Sequence, residues 1–149
     1  GYLAPWWRRE RVSSLSKEGS TLLKHRRYEL AVVRFQTACE LAIAETFQAL
    51  LKARLPQADA SKLIRRPATL KDDHSKALLQ LLTGERVQDS PWWTQYLEHI
   101  KRRNGIVHDG LAITRDDAQA SHSVTNDLRA WLLDRRKELD EEESPADEG

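Results

Sequence analysis

The chain has 149 residues, 32% of them charged and 40% hydrophobic, a length and balance that suit one globular domain with its own core. No run of eighteen apolar residues occurs, which excludes a transmembrane helix, and the lone Cys39 excludes an internal disulfide. The formal net charge of +1 conceals a segregation: seven of the 23 Asp and Glu lie from Glu138 onward, where there is no Lys or Arg, so residues 1–137 hold sixteen acids against all 24 bases. A body of about +8 therefore precedes a tail of −7. Cys39 lies in an apolar helical stretch and reads as a small core residue. No Cys/His spacing resembles a zinc site, and neither a metal nor a cofactor is expected. The chain opens Gly1-Tyr2-Leu3 without Met, and we expect it to be a domain of a longer chain.

The spacing predicts an all-α fold, since Gly and Pro are few and no window alternates apolar and polar residues over strand length. A first helix runs from about Trp6 or Arg9 to Lys24, with the cations of His25-Arg26-Arg27 at its C-terminal end. The longest helix covers about Tyr28 to Leu55, and Pro56 ends it. Its apolar residues, among them Leu30, Val32, Phe35, Ala38, Leu41, Phe47 and Leu51, occupy most of the circumference, as in the central helix of a bundle. Residues 56–70 read as a loop or short helix broken at Pro67. Asp72 or Asp73 caps a short helix through Leu82 that carries Ala77, Leu78, Leu81 and Leu82, and Gly84 closes it. Ser90-Pro91 starts the next helix, with Ser as N-cap and Pro in the first turn. Trp93, Leu97, Ile100, Asn104, Val107 and Leu111 follow at 3-4 spacing, and Asp109-Gly110 supplies the stop. Thr114 with Asp117 resembles a capping box and opens a last helix striped by Ala118, Val124, Leu128, Trp131 and Leu132. The expected architecture is a bundle of four or five mostly antiparallel helices over residues 1–139, with a disordered acidic tail over 140–149.

One segment, Lys101-Arg102-Arg103-Asn104-Gly105-Ile106-Val107-His108-Asp109-Gly110, breaks local rules. Asn104 takes an apolar position between Ile100 and Val107, where a polar group without a partner costs about 1–3 kcal/mol. Gly105 inside a helix costs roughly another 1 kcal/mol relative to Ala. Two unfavourable choices beside an Arg and a His are what functional sites tend to carry. Asn104 and His108, at i,i+4, share a face, whereas Arg103 and His108 stand about 140° apart around the axis. Either the helix unwinds near Gly105, or two copies of the segment meet across a symmetric interface, which the Asn-bearing apolar stripe favours.

Arg103-Asn104-Gly105-Ile106-Val107-His108 resembles the signature of HEPN domains, an Arg commonly followed by Asn and then a His after four to six intervening residues. A long apolar helix before the motif and another after it extend the resemblance over most of residues 10–138, though only the motif is specific. The resemblance implies a HEPN-like helical bundle that homodimerises, and a metal-independent endoribonuclease of the kind found in toxin–antitoxin and phage-defence systems. It also implies RNA and a cognate antitoxin as partners, and a cytoplasmic location. Under it, Arg103, His108 and Asn104 are the catalytic set, and Arg102 and Lys101 bind substrate. The RNA 2′-hydroxyl is the nucleophile, so the protein needs to supply proton transfer and charge stabilisation. A histidine moves protons at neutral pH, and an arginine holds a phosphate bidentately. The expected products are a 2′,3′-cyclic phosphate and a 5′-hydroxyl. Gly110 stands where one subgroup carries a Tyr, so control by AMP addition to that Tyr is not implied. Other members of the family are inactive, which keeps open a non-cleaving RNA- or nucleotide-binding domain.

The remaining features have plainer readings. His25, His74, His99 and His122 lack ligand spacing and read as surface or amphipathic-face residues, and Asp72-Asp73-His74 reads as a capping turn. Glu40 and Glu45 read as exposed unless they turn inward, where Arg103 or Asn104 are candidate partners. The pairs Arg26-Arg27, Arg65-Arg66 and Arg102-Arg103 suit a phosphate backbone, and each alone suits a solvated face. Pro-Trp-Trp occurs at residues 5–7 and 91–93, as aromatic anchors in two first helical turns. Residues 15–41 also resemble one tetratricopeptide repeat through Leu15, Gly19, Tyr28, Ala31, Phe35 and Ala38, but Ile43 replaces its closing Pro and one repeat builds no solenoid. That likeness keeps a helical protein-interaction module as a further alternative. The acidic tail either competes with RNA for a basic groove around Arg103 or serves as a solubilising linker to a neighbouring domain.

Overall fold

The computed structural model describes residues 5–55 and 59–143. Five helices account for most of them: α1 (Pro5–Lys24), α2 (Tyr28–Arg54), α3 (Asp73–Thr83), α4 (Trp93–Asp109) and α5 (Arg115–Glu143). Short 3-10 turns at Ala60–Leu63 and Val87–Asp89 fill the connections, and no strand occurs among the described residues. The all-α expectation holds.

α2 is the axis of the molecule. Ala31, Val32, Phe35, Ala38, Cys39, Ile43, Phe47, Leu50 and Leu51 are all buried, because α1, α4 and α5 pack around it. Gly19 of α1 lies against the Phe35 ring so closely that a Cβ there would collide with it. Phe35 stacks on His122 at 4.9 Å, and the Cys39 thiol donates to Thr125 Oγ1 at 3.6 Å. These contacts advance together along both chains, so α2 and α5 run in the same direction, with α1 and α4 antiparallel to them. Cys39 is fully buried as expected, and burial pushes its thiol up to about 12.

The punctuation follows local chemistry. α2 ends at Arg54 with Leu55 as its C-cap, and Pro56 lies outside the described residues. Asp72 caps α3 by accepting the Ser75 N–H at 3.0 Å, and Gly84 stops it in the left-handed region at φ 76°. Thr114 and Asp117 form the reciprocal box at the start of α5: the Thr114 N–H donates to Asp117 Oδ2 and the Asp117 N–H to Thr114 Oγ1. α5 continues to Glu143, past the expected limit at Leu139, and the rest of the acidic tail lies outside the described residues.

Three local expectations need correction. α4 begins at Trp93 rather than at Ser90-Pro91, because Ser90 closes the preceding 3-10 turn and Trp92 takes the capping position. The buried face of α3 is Ser75, Leu79 and Leu82, which leaves Leu81 78% exposed. The core side of α4 is Tyr96, His99 and Ile100, while Leu97, Val107 and Leu111 of the expected stripe are exposed. Aromatic packing sets that rotation. Trp92 is buried edge-on against Tyr96 and Trp131, each at 6.2 Å, which makes the second Pro-Trp-Trp an anchor. The first opens α1 at Pro5, and the side chains of Trp6 and Trp7 lie outside the described residues.

The fully buried Tyr96 hydroxyl accepts the Leu70 N–H at 3.1 Å and so pins the segment before α3 to α4. Tyr96→Phe strands that buried amide, and we expect a loss of about 1–3 kcal/mol in urea unfolding. A midpoint equal to that of the wild type would contradict the role given to this hydroxyl.

Candidate functional site

α4 remains a regular helix from Trp93 to Asp109, so the motif is not brought together by unwinding at Gly105. Gly105 has a packing reason instead. The chain reverses after α4 with Gly110 in the left-handed region at φ 63°, and the Leu111 N–H donates to the Gly105 carbonyl at 3.0 Å. Leu111 then lies over Gly105, where a Cβ would meet Leu111 Cδ2 at 2.9 Å. An alanine would displace the end of the Leu111 side chain that packs over it.

One face of α4 lines a groove of about 830 Å³. Lys101, Arg102, Asn104 and His108 are on its wall, with Lys71, Leu97, Leu111 and Ile113 around them and the acids Glu98, Asp109 and Asp117 among the lining. His108 is exposed in the last turn of the helix, and Lys101 is exposed one turn or more before it. Arg103 does not line the groove, as the angular separation from His108 requires, but its Nη1 donates to Asn104 Oδ1 at 3.1 Å. Asn104 therefore has the partner its position demanded, and it links the Arg103 side of the helix to the His108 side.

Arg102, expected to hold substrate, is engaged elsewhere. Its Nη1 donates to Ser121 Oγ at 2.6 Å, and its Nη2 lies 3.9 Å from Asp117 Oδ1, with the side chain 13% exposed. It fastens α4 to the start of α5, which leaves Lys101 and Lys71 as the exposed cations of the groove.

His99, read from its spacing as a surface or amphipathic-face residue, needs correction, because the packing of α4 on α2 turns it inward. It is completely buried, and its Nε2 lies 2.9 Å from Gln36 Oε1 on α2. The Gln36 amide nitrogen donates in turn to Glu40 Oε1 at 3.2 Å, so the amide oxygen faces the ring and Nε2 must carry the proton. His99 is thus the neutral Nε2–H tautomer, with Nδ1 bare. Burial, reinforced by the nearby Arg102 and Arg103 charges, pushes its pKa down to about 4. His99 stands one turn before Arg103, and the i,i+3 and i,i+4 steps Tyr96–His99–Arg103 are the signal that could have exposed it. Glu40 reaches toward the motif only through Gln36 and His99, not through Arg103 or Asn104 directly. Glu45 is buried on the opposite side, where it lines a small cavity with Val12, Arg129 and Arg136. His122 is half-buried between Phe35 and Ser20, and His74 is exposed near the Leu63 carbonyl. Among the described residues no group of three His, Cys, Asp or Glu is placed to hold a metal ion. No described helix is long and apolar enough to cross a membrane.

The His99 environment carries a pH signature. Its folded pKa lies below the value of about 6.5 expected when unfolded, so the unfolded chain binds the extra proton first. Stability is complete above that value and falls as the pH drops toward about 4, by on the order of 3 kcal/mol. His99→Gln removes this contribution, and the acid loss measured by urea unfolding should shrink accordingly. Equal losses in the two proteins would contradict the buried neutral imidazole.

No family model, no curated protein and no solved structure matches this chain.

Proposed function

We propose that this chain is a HEPN-type endoribonuclease that cleaves RNA by 2′-hydroxyl attack without a metal ion, at a site shared by two copies. The observation that carries the reading is the groove along α4, where Asn104 and His108 of the motif face the same space as Lys101 and Lys71, with Arg103 held at its edge by Asn104. An imidazole beside cations is the equipment that phosphodiester cleavage requires when the substrate supplies the nucleophile.

In this reading His108 takes the proton of the 2′-hydroxyl as its oxygen bonds to phosphorus. Arg103 stabilises the charge that develops on the phosphoryl oxygens, and the bond from phosphorus to the 5′-oxygen breaks. The 5′-oxygen leaves as a hydroxyl with the proton that His108 took, returned through water, and a 2′,3′-cyclic phosphate remains. Lys101 and Lys71 track the flanking phosphates. The exposed apolar residues Leu97 and Val107 on the helix that carries the motif, with Leu111 just after it, suit the interface between copies.

Purified protein incubated with single-stranded RNA in EDTA tests this directly, with light scattering for the oligomeric state. We expect cleavage by a dimer, and a fall in rate on the order of 100-fold or more in both His108→Ala and Arg103→Ala. Salt-sensitive binding without cleavage would overturn the catalytic assignment, and a strict monomer would overturn the shared site. RNA behaviour unchanged in both variants would overturn the motif assignment altogether.

A further inference from the structure

Two buried polar atoms near the motif lack a hydrogen-bond partner: the bare Nδ1 of His99 and the Nε–H of Arg103. Each is what the other needs. One is an acceptor because Gln36 holds the ring as the Nε2–H tautomer, and the other is a donor at any working pH. Their residues are i,i+4 on one face of α4, and long helical side chains lean toward the N-terminus, which lays the Arg103 stem over the turn of His99. Burying either atom unpaired is costly, and pairing them removes both costs.

We propose that His99 is the positioning residue for Arg103: the two atoms are not hydrogen-bonded to each other in the structure, and a small side-chain adjustment brings the Arg103 Nε–H onto Nδ1. The inference depends on the ribonuclease reading for its purpose, but not for its geometry. Asn104 Oδ1 already accepts from Nη1, so two of the five guanidinium N–H groups are fixed inside the protein. The outward edge formed by Nη1 and Nη2 is left for an anion. Glu40 orients the Gln36 amide, Gln36 sets the tautomer of His99, and His99 sets the direction of Arg103. The charged groups of α2 and α4 around the ring are Glu40, Arg102 and Arg103. A protonated ring would offer Arg103 a like charge and no acceptor.

The test is nitrogen-15 NMR of the full chain, reading the His99 tautomer and the solvent exchange of the Arg103 Nε–H, with RNA cleavage measured in parallel. His99→Gln keeps a donor toward Gln36 but removes the acceptor at the δ position, whereas His99→Asn keeps an oxygen at that position and loses the reach to Gln36. We expect the Nε2–H tautomer in the wild type, exchange roughly tenfold faster in His99→Gln, and exchange close to wild type in His99→Asn. Cleavage should follow the same order, with kcat lowered in His99→Gln, KM little changed, and partial rescue in His99→Asn. An Nδ1–H tautomer, or the same exchange rate in all three proteins, would overturn the proposal. If the wild type cleaves no RNA, the ribonuclease reading fails, and the exchange rates still decide the positioning role.

Discussion

A single buried hydrogen bond, from His99 on α4 to Gln36 on α2, fixes how the motif-bearing helix sits against the centre of the bundle. Apolar packing alone leaves a helix free to slide or turn by small amounts at little cost. A buried polar pair does not, because any other rotation leaves both groups unsatisfied in a medium that cannot solvate them. Arg103, Asn104 and His108 lie on the same continuous helix, so fixing the rotation at His99 decides where each of them points. The partition of the motif, with Asn104 and His108 in the groove and Arg103 outside it bonded to Asn104, follows from that contact together with the aromatic packing of Trp92 and Tyr96.

Other polar ties reinforce it from the sides. Arg102 reaches Ser121 and Asp117 on α5, the Ile113 N–H donates to Glu29 on α2, and Tyr96 holds the segment before α3. With α4 held by these contacts, no described helix packs over its outer face. That face mixes Leu97 with Lys101, Asn104 and His108, which is neither a core stripe nor an ordinary solvated surface. The proposed ribonuclease gives part of it to a second copy and part to an RNA strand.

Much of the fold was legible because its signals are local. The capping box at Thr114, the cap at Asp72, the left-handed Gly84 and the apolar residues around most of α2 each have a chemistry that needs no neighbour to be read. The rotation of α4 was not legible, because its sequence offers two competing stripes. The aliphatic series through Leu97, Val107 and Leu111 is as well spaced as the series through Trp92, Tyr96 and His99, and tertiary packing selects the aromatic one. Trp131 and Leu70, the neighbours that receive it, lie far away in sequence. Gly105 shows the reverse case. It looked like a functional irregularity, and its cause is the chain reversal that brings Leu111 over the helix. Arg102 was placed with the substrate-binding cations on sequence adjacency alone, whereas its direction around the helix sends it to α5.

The segregation of charge also takes on a structural meaning. The exposed cations of the groove belong to residues 1–137, which hold 24 bases against sixteen acids, although Glu98, Asp109 and Asp117 line the groove as well. In the proposed enzyme a working site takes its Arg103 and its His108 from two copies of the chain, and mixing two inactive variants is the decisive experiment. Equimolar Arg103→Ala and His108→Ala, unfolded and refolded together, form heterodimers in which one of the two composite sites is intact. The account predicts recovery of roughly a quarter of wild-type RNA cleavage, as a two-fold symmetric site requires. No recovery, with heterodimers shown to have formed, would contradict a site shared in this way.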